Sequence, residues 1–171
     1  MNKDFLKQLP FFKKIKIPKY IEARLQESAL KHLELSDMGK LRDRMEGQLY
    51  YDRLRCDIFS EYAFEKTIGL SSFNWVQRDK KRYKRKKYLF KGKTLSIVVL
   101  NGDSFPRVSA THEINYIFAY VTPEQSVFIS GVANNSTIRM LAGENENIIE
   151  IKDFSALISY TNLESFVNVL E

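Results

Sequence analysis

The order of the sequence patterns predicts an α/β (α+β) protein with a central mixed β-sheet flanked by helices and an added N-terminal helix. Apolar residues recur at helical spacing over residues 18–69, and strand-like runs replace that spacing after Trp75. One of these runs, LSIVVL at residues 95–100, contains no charged residue, which is typical of a strand buried on both faces. The 171 residues, of which 44% are hydrophobic, fit a single domain with a core of its own.

Residues 1–17 are predicted to form an N-terminal arm, and residues 18–69 the helical part of the domain. Pro18 suits the first turn of a helix. The apolar residues that share one face of this helix are Ile21, Leu25, Ala29 and Leu33. After a cap at Ser36 or Asp37, helical spacing resumes at Leu41 and continues as one long helix to Gly69, a glycine that can end it.

Residues 84–171 are predicted to form the sheet and a C-terminal helix. The first four strands are expected at residues 84–90, 94–100, 115–121 and 126–132. A turn at Lys91-Gly92-Lys93 joins the first two, and Asn101-Gly102-Asp103 forms the next turn. A short helix at 134–142, β-prone stretches at 148–151 and 156–160, and a last helix after Thr161 complete the order. The uncharged strand at 94–100 is expected in the middle of the sheet.

The positive charge of the chain is concentrated in residues 78–93, which we call the basic segment. It contains ten basic side chains and one acidic side chain, Asp79. The 27 basic and 21 acidic residues of the whole chain therefore leave 17 and 20 elsewhere, so the net charge of +6 comes from this segment. Such a block can attract a polyanion, although a solvated basic hairpin would have the same composition. We predict nucleic-acid binding through Lys80, Lys81, Arg82, Lys84, Arg85, Lys86 and Lys87.

The cellular compartment is predicted to be the cytoplasm. The single cysteine, Cys56, cannot form an internal disulfide, which favours a reducing environment. The sequence contains neither an apolar run of the ~20 residues that span a bilayer nor the apolar block of a signal peptide. We therefore expect no membrane partner.

Three stretches of the sequence resemble the PD-(D/E)XK nuclease superfamily, which has the restriction-endonuclease-like fold. They are SEYAFEKTIGL at residues 60–70, KYLFKGKTLSIVV at residues 87–99 and NYIFAYVTPEQSVFISGVANNSTI at residues 115–138. They match the family's order of a long helix with an acid in its C-terminal half, a strand-glycine-strand hairpin, and a second strand pair followed by a helix. The resemblance covers roughly residues 48–170 and implies the family's fold.

The resemblance also implies where catalytic residues would lie. Active members of the family carry a metal-binding Asp by the first hairpin strand, and an acid and a Lys one residue apart on the second. The acids hold magnesium, and the Lys helps to activate water. Alignment on Gly92 places these positions at Lys87, Ser96 and Val98, none of which matches. Only Glu61 matches an acid that many members carry on the preceding helix. The resemblance thus implies a degenerate member that binds nucleic acid without cutting it and needs no cofactor, alone or as the non-cutting subunit of a DNA-processing or defence complex.

Two alternatives remain open from the sequence. The first is an active magnesium-dependent endonuclease with displaced ligands, drawn from Glu61, Asp57, Asp103 and Glu113. The second is a protein-interaction module or homodimer, in which the basic segment contacts an acidic partner. The acids Asp57, Glu61 and Glu65 follow Arg53 at intervals of four, which predicts a solvated helix stripe with an Arg53–Asp57 pair. Three aromatic residues around the basic segment are candidates for stacking on unpaired bases: Trp75, Tyr83 and Tyr88.

Overall fold

A five-stranded mixed β-sheet with helices packed against it forms the centre of the computed structural model, which describes residues 12–70, 73–100, 104–143 and 146–171. Its strands are β1 (Lys13–Lys16), β2 (Tyr88–Phe90), β3 (Lys93–Val99), β5 (Ile114–Val121) and β6 (Ser126–Ala133), in the spatial order β1-β6-β5-β3-β2. Strands β3 and β5 are parallel, and the other pairs are antiparallel. Two short strands, β4 (Arg107–Ser109) and β7 (Ile148–Glu150), form a separate small sheet. The predicted α/β fold is confirmed.

The helices are α1 (Lys19–Leu33), α2 (Met38–Arg42), α3 (Met45–Thr67), α4 (Asn135–Leu141) and α5 (Leu163–Asn168), with a 3-10 turn at Phe154–Ala156. Helices α1, α3 and α5 contribute to one hydrophobic cluster, on the sheet face that carries Leu95 and Ile97. The 3-10 turn and α4 contribute to a second cluster on the other face, together with Tyr116 and Phe118. Among the described residues, no helix has the length and hydrophobicity needed to cross a bilayer.

The predicted arm at residues 1–17 contains a strand that the sequence analysis did not identify. Strand β1 pairs with β6 at the edge of the sheet, where Ile15 lies opposite Val127. Ile17, two positions further along, is almost fully buried. The signal was an alternation of lysine and isoleucine too short to be separated from a loop. Residues 1–11 of the arm lie outside the described residues.

The predicted long helix from Leu41 to Gly69 is interrupted at Asp43 and Arg44. Leu41 belongs to α2, which Asp37 caps as expected by accepting a hydrogen bond from the Lys40 backbone N–H. Helix α3 then begins at Met45, after an extended Arg44. Gly47 permits this break, because a Cβ atom there would lie only 2.8 Å from the carbonyl oxygen of Leu41. The helical periodicity on either side of the break gave no sign of it.

The strand predictions were right in order and wrong at several boundaries. Strand β2 occupies only the last three residues of the predicted 84–90 strand, because the preceding residues contact α3 instead of the sheet. Strand β3 lies second from the edge, so the expectation that it forms the middle of the sheet was wrong. The middle strand is β5, whose residues 115–119 are all buried. Residues 156–160 form no strand beyond a single bridge between Val132 and Ile158.

Candidate nucleic-acid interface

The acidic residues of α3 are buried beneath the basic segment. Asp57, Glu61 and Glu65 lie on one face of the helix, as their spacing requires. The side chain of Glu61 is completely buried and that of Glu65 nearly so. The predicted solvated stripe was therefore wrong, because the face that carries these acids packs against residues 78–88 and not against water.

Arg78 occupies the centre of the buried charges, with only 1% of its surface exposed. Its Nε donates to Glu61 at 2.6 Å and its Nη2 donates to Glu65 at 2.6 Å. Its Nη1 donates to the backbone carbonyl of Asn74 at 2.7 Å, and its guanidinium lies 3.8 Å from the ring centre of Phe73. Burial acts to lower the pKa of Arg78, but the two carboxylates outweigh it and raise the pKa above its ordinary value.

Two tyrosines complete the hydrogen bonds of the glutamates. The hydroxyl of Tyr83 donates to Glu61 at 2.7 Å, and the hydroxyl of Tyr88 donates to Glu65 at 2.9 Å. Burial, supported by the neighbouring carboxylates, raises the pKa of both tyrosines well above the ordinary value, so both remain proton donors. Tyr83 and Tyr88 are both buried in the core, with 8% and 6% of their surfaces exposed, which does not fit the predicted stacking on bases at an open surface; Tyr83 also lines a surface cavity. Trp75 packs beside Phe73, and only part of its surface is exposed.

Residues 85 and 86 also bind the acids of α3. The Lys86 backbone N–H donates to Glu61 at 2.8 Å, and its ammonium lies 2.9 Å from Glu65. Arg85 pairs with Asp57 at 3.1 Å, so the expected Arg53–Asp57 pair was wrong. These bonds attach the chain to the helix before β2 begins, which explains why residues 84–87 do not extend that strand.

Asp79 ties the basic segment to α1. Its carboxylate accepts a hydrogen bond of 2.7 Å from Ser28 and one of 2.9 Å from Lys31, and it lies 2.9 Å from Nε2 of His32. The bond from Ser28, followed by that from Lys31, lowers the pKa of Asp79 from 3.8 to about 2. The single acid of the basic segment is therefore engaged by neighbouring donors on α1.

The remaining cations of the basic segment face the solvent. Five of the seven predicted nucleic-acid contacts are exposed: Lys80, Lys81, Arg82, Lys84 and Lys87. Lys91 and Lys93 at the following turn are exposed as well. Within the described part of the chain, none of these seven side chains forms an ion pair with an acid. The segment thus divides into an inner set bound to acids and an outer set in contact with water.

The structure does not bring the degenerate motif positions together with Glu61. Ser96 and Val98 pair with Tyr116 and Phe118, and Val98 packs in the cluster on the sheet face opposite α3. Glu61 lies on α3, where it binds Arg78, and Lys87 is exposed just before β2 begins. Asp103, together with the predicted turn at 101–103, lies outside the described residues. Over the described ranges, no group of three or more His, Cys, Asp or Glu side chains could hold a metal ion.

The inner network was not predicted, although the sequence contains one signal of it. In the stretch DIFSEYAFE at residues 57–65, apolar side chains border the acidic face of the helix on both sides. A helix that is apolar around most of its circumference is buried, so the acids within it require buried partners. A basic segment about 17 residues further along the chain was the available source. Nothing in the sequence indicated which basic residue would be the central partner, and the structure shows that it is Arg78.

Replacement of Arg78 by methionine tests the buried network. The change Arg78→Met retains a long side chain but leaves the carboxylates of Glu61 and Glu65 without their main cationic partner. We expect the free energy of unfolding, measured by urea denaturation, to fall by about 3–5 kcal/mol, the typical cost of breaking a buried ion pair from one side. As a matched control, Arg107→Met breaks the exposed pair with Glu150, between β4 and β7, and should cost about 1 kcal/mol or less.

Two further substitutions test whether the unpaired carboxylates cause this loss of stability. Addition of Glu61→Gln and Glu65→Gln to Arg78→Met removes the unpaired charges and should restore much of the lost stability. An Arg78→Met variant that unfolds at the urea concentration of the wild type would contradict the proposed central role of this arginine.

The lowered pKa of Asp79 predicts a pH-dependent contribution to stability. Because the pKa is lower in the folded state than its ordinary value of 3.8, the carboxylate stabilises the fold fully above that value. The contribution is lost as the pH falls toward the folded pKa of about 2. We expect Asp79→Asn to be less stable than the wild type at pH 7, and the difference to shrink between pH 4 and pH 2 in urea titrations.

Ser28→Ala provides the control for this titration, because it removes the main donor to Asp79 while the carboxylate stays in place. It should reproduce part of the pH-dependent difference. A difference between wild type and Asp79→Asn that stays constant from neutral pH to pH 2 would show that the carboxylate is not stabilised as described.

Comparison of the chain with protein-family models, curated proteins and solved structures returned no match. The candidate interface is therefore defined by its own geometry, in which the buried acids of α3 hold one set of basic residues and leave another set exposed.

Proposed function

We propose that this protein binds nucleic acid through the outer cations of the basic segment and does not cleave it. The observation that carries the proposal is the separation of charges within the segment. Its inner cations pair with the acids of α3, and its outer cations are exposed and form no ion pair among the described residues. A surface of this kind has a positive potential that attracts phosphate groups.

The buried network gives this surface a fixed backbone. The chain is bound to α3 at Arg78, Tyr83, Arg85 and Lys86, and to α1 at Asp79. The outer side chains therefore project from anchored positions, and less conformational entropy is lost when they contact phosphates than a free basic tail would lose. Lysine and arginine contacts to phosphates supply affinity without reading the base sequence, so we expect little sequence preference from these residues alone.

We further propose that the chain is a degenerate member of the PD-(D/E)XK nuclease superfamily. The proposal is supported by the order of helix α3, the β2–β3 hairpin turned at Gly92, the β5–β6 hairpin and helix α4. The membership proposal rests on this order of elements alone, because Ser96 and Val98 lie on the sheet face opposite α3.

The state of Glu61, whose carboxylate accepts hydrogen bonds from Arg78, Tyr83 and the Lys86 backbone, supports the absence of cleavage. An acid held in this way is not free to bind magnesium.

The cellular role follows from the same proposal. A nucleic-acid-binding protein without cutting activity fits a non-cutting subunit of a DNA-processing or defence complex, and a protein partner or homodimer remains part of the prediction. The cytoplasmic location also stays a prediction, based on the single cysteine, Cys56.

Removal of two outer charges tests the binding surface. We expect Lys80→Gln combined with Lys87→Gln to weaken binding to a short DNA duplex, measured by fluorescence anisotropy over a range of salt concentrations. The slope of the logarithm of the affinity against the logarithm of the salt concentration should become shallower by about 2, because each phosphate contact contributes about 0.9.

Lys19→Gln combined with Lys40→Gln is the matched control, since it removes the same charge from exposed positions on α1 and α2. This control should retain most of the wild-type affinity and slope. Equal effects of the two double variants, or wild-type binding that does not respond to salt, would rule out the basic segment as the binding surface.

The absence of cleavage is tested with the acid that the resemblance singles out. We expect the wild type to leave plasmid and single-stranded DNA intact in the presence of magnesium or manganese, because the carboxylate of Glu61 is occupied by Arg78 and Tyr83. Gel electrophoresis of the incubated substrates measures the outcome. Metal-dependent cleavage that disappears in Glu61→Gln would instead favour the active endonuclease.

A further inference from the structure

A surface cavity of about 350 Å³ lies between the end of α1, the first turns of α3 and the basic segment. Its walls combine two kinds of side chain. Leu33, Tyr50 and Tyr83 supply apolar and aromatic surface, whereas Arg53, Lys81, Arg82 and Lys84 supply positive charge. No acidic residue lines it among those described. The cavity volume falls within the ~300–1,000 Å³ typical of small-molecule sites.

The apolar part of the cavity does not suit a phosphate group alone. A phosphate requires donors around all of its oxygens, and hydrocarbon and aromatic walls would leave some of them without a partner. A planar aromatic group is suited to such walls, because aromatic rings and aliphatic side chains pack against its faces. The position of the Tyr83 ring is fixed by its hydroxyl, which donates a hydrogen bond to the buried Glu61.

The four cations that share the cavity suit the phosphates on either side of such a group. Lys81, Arg82 and Lys84 are exposed, as is Arg53 on α3. Arg53 also lies 5.6 Å from the ring centre of Tyr50, so positive charge is present beside the aromatic wall. A nucleotide combines a planar base with an anionic phosphate, which is the combination that these walls would accommodate.

Tyr50 supplies the only buried side-chain nitrogen or oxygen in the described part of the chain that has no hydrogen-bond partner. A buried hydroxyl without a partner is unfavourable, and such groups in folded proteins call for an explanation. Burial raises the pKa of Tyr50, so its hydroxyl keeps the proton and can act as a donor. Four long lysine and arginine side chains share the cavity with Tyr50, and a change in their rotamers when a ligand binds would let this hydroxyl reach an acceptor on a base.

We propose that this cavity binds an unpaired nucleotide of a single-stranded nucleic acid, with the base against Leu33, Tyr50 and Tyr83 and the adjacent phosphates at the four cations. The inference rests on the proposed nucleic-acid binding and adds the class of substrate to it. A base within a duplex is stacked and paired, so it cannot enter a cavity of this kind without being extruded. Unpaired segments of DNA and RNA share the required chemistry, and the experiment includes both.

The experiment compares the affinities of the 171-residue protein for fluorescent oligodeoxyuridylate, oligouridylate and a DNA duplex with the same number of phosphates, at one fixed salt concentration. The wild type should bind at least one single strand more tightly than the duplex by roughly tenfold or more, the size of one base-stacking contact. The change Leu33→Trp fills the cavity without altering its charge and should remove most of this preference while leaving duplex affinity unchanged. Leu49→Trp, on the exposed surface of α3, is the matched control and should behave like the wild type.

Tyr50→Phe provides a second variant that should fold normally, because the hydroxyl it removes has no partner in the protein. It should leave thermal stability equal to or above that of the wild type and weaken single-strand binding by roughly fivefold, the size of one net hydrogen bond. Tyr51→Phe makes the same chemical change at the neighbouring position, which lines a different cavity, and should not affect binding.

The outcomes separate this inference from the proposed function. Equal affinity for single strands and duplex overturns the inference and leaves general nucleic-acid binding intact. The same conclusion follows if neither Leu33→Trp nor Tyr50→Phe reduces the affinity for single strands. Failure of the wild type to bind any of the three probes overturns both. A preference that differs between oligodeoxyuridylate and oligouridylate, which differ only at the sugar, identifies DNA or RNA as the source of the unpaired nucleotide and supports the inference.

Discussion

The buried ion pairs of Arg78 with Glu61 and Glu65 are the interaction on which the candidate interface depends. Two carboxylates inside a protein are costly unless cations and hydrogen-bond donors surround them. Arg78 contributes a planar fork with a separate donor for each glutamate, and the ammonium of Lys86 supplies the second positive charge. With the hydroxyls of Tyr83 and Tyr88, this arrangement balances the charges and attaches the basic segment to α3 at several points.

This attachment explains why so much positive charge lies next to an uncharged strand. The acids of α3 compensate the cations that face inward, so the chain can approach the core without leaving a buried charge unpaired. These bonds also occupy the Lys86 backbone N–H, which is therefore not available to extend β2 by pairing with a neighbouring strand. The segment crosses the helix as an irregular stretch. Its outer lysines and arginine remain on the surface, where their mutual repulsion is reduced by water and would be reduced further by phosphates.

Sequence periodicity was sufficient to predict most of the fold but little of the candidate site. Apolar spacing identified α1, the order of the main strands and the turn at Gly92, because each depends on local patterns. The break before α3 and the edge strand β1 depend on contacts between distant residues, such as Gly47 against Leu41 and Ile15 opposite Val127. For the site, charge density located the basic segment in the sequence, but it did not indicate which cations face inward. That division depends on the burial of the α3 face, and acids spaced by four look the same on exposed and buried helices.

The fork geometry at Arg78 means that arginine and lysine are not equivalent along the basic segment. A lysine at this position would offer one compact ammonium, which cannot donate in two fixed directions to glutamates on successive helical turns and to a backbone carbonyl at once. At Lys81, Arg82 and Lys84 the side chains reach into solvent, and either residue type supplies the same charge. An exchange that chemical similarity scores treat as conservative is thus harmless at Lys84 and disruptive six residues earlier, at Arg78.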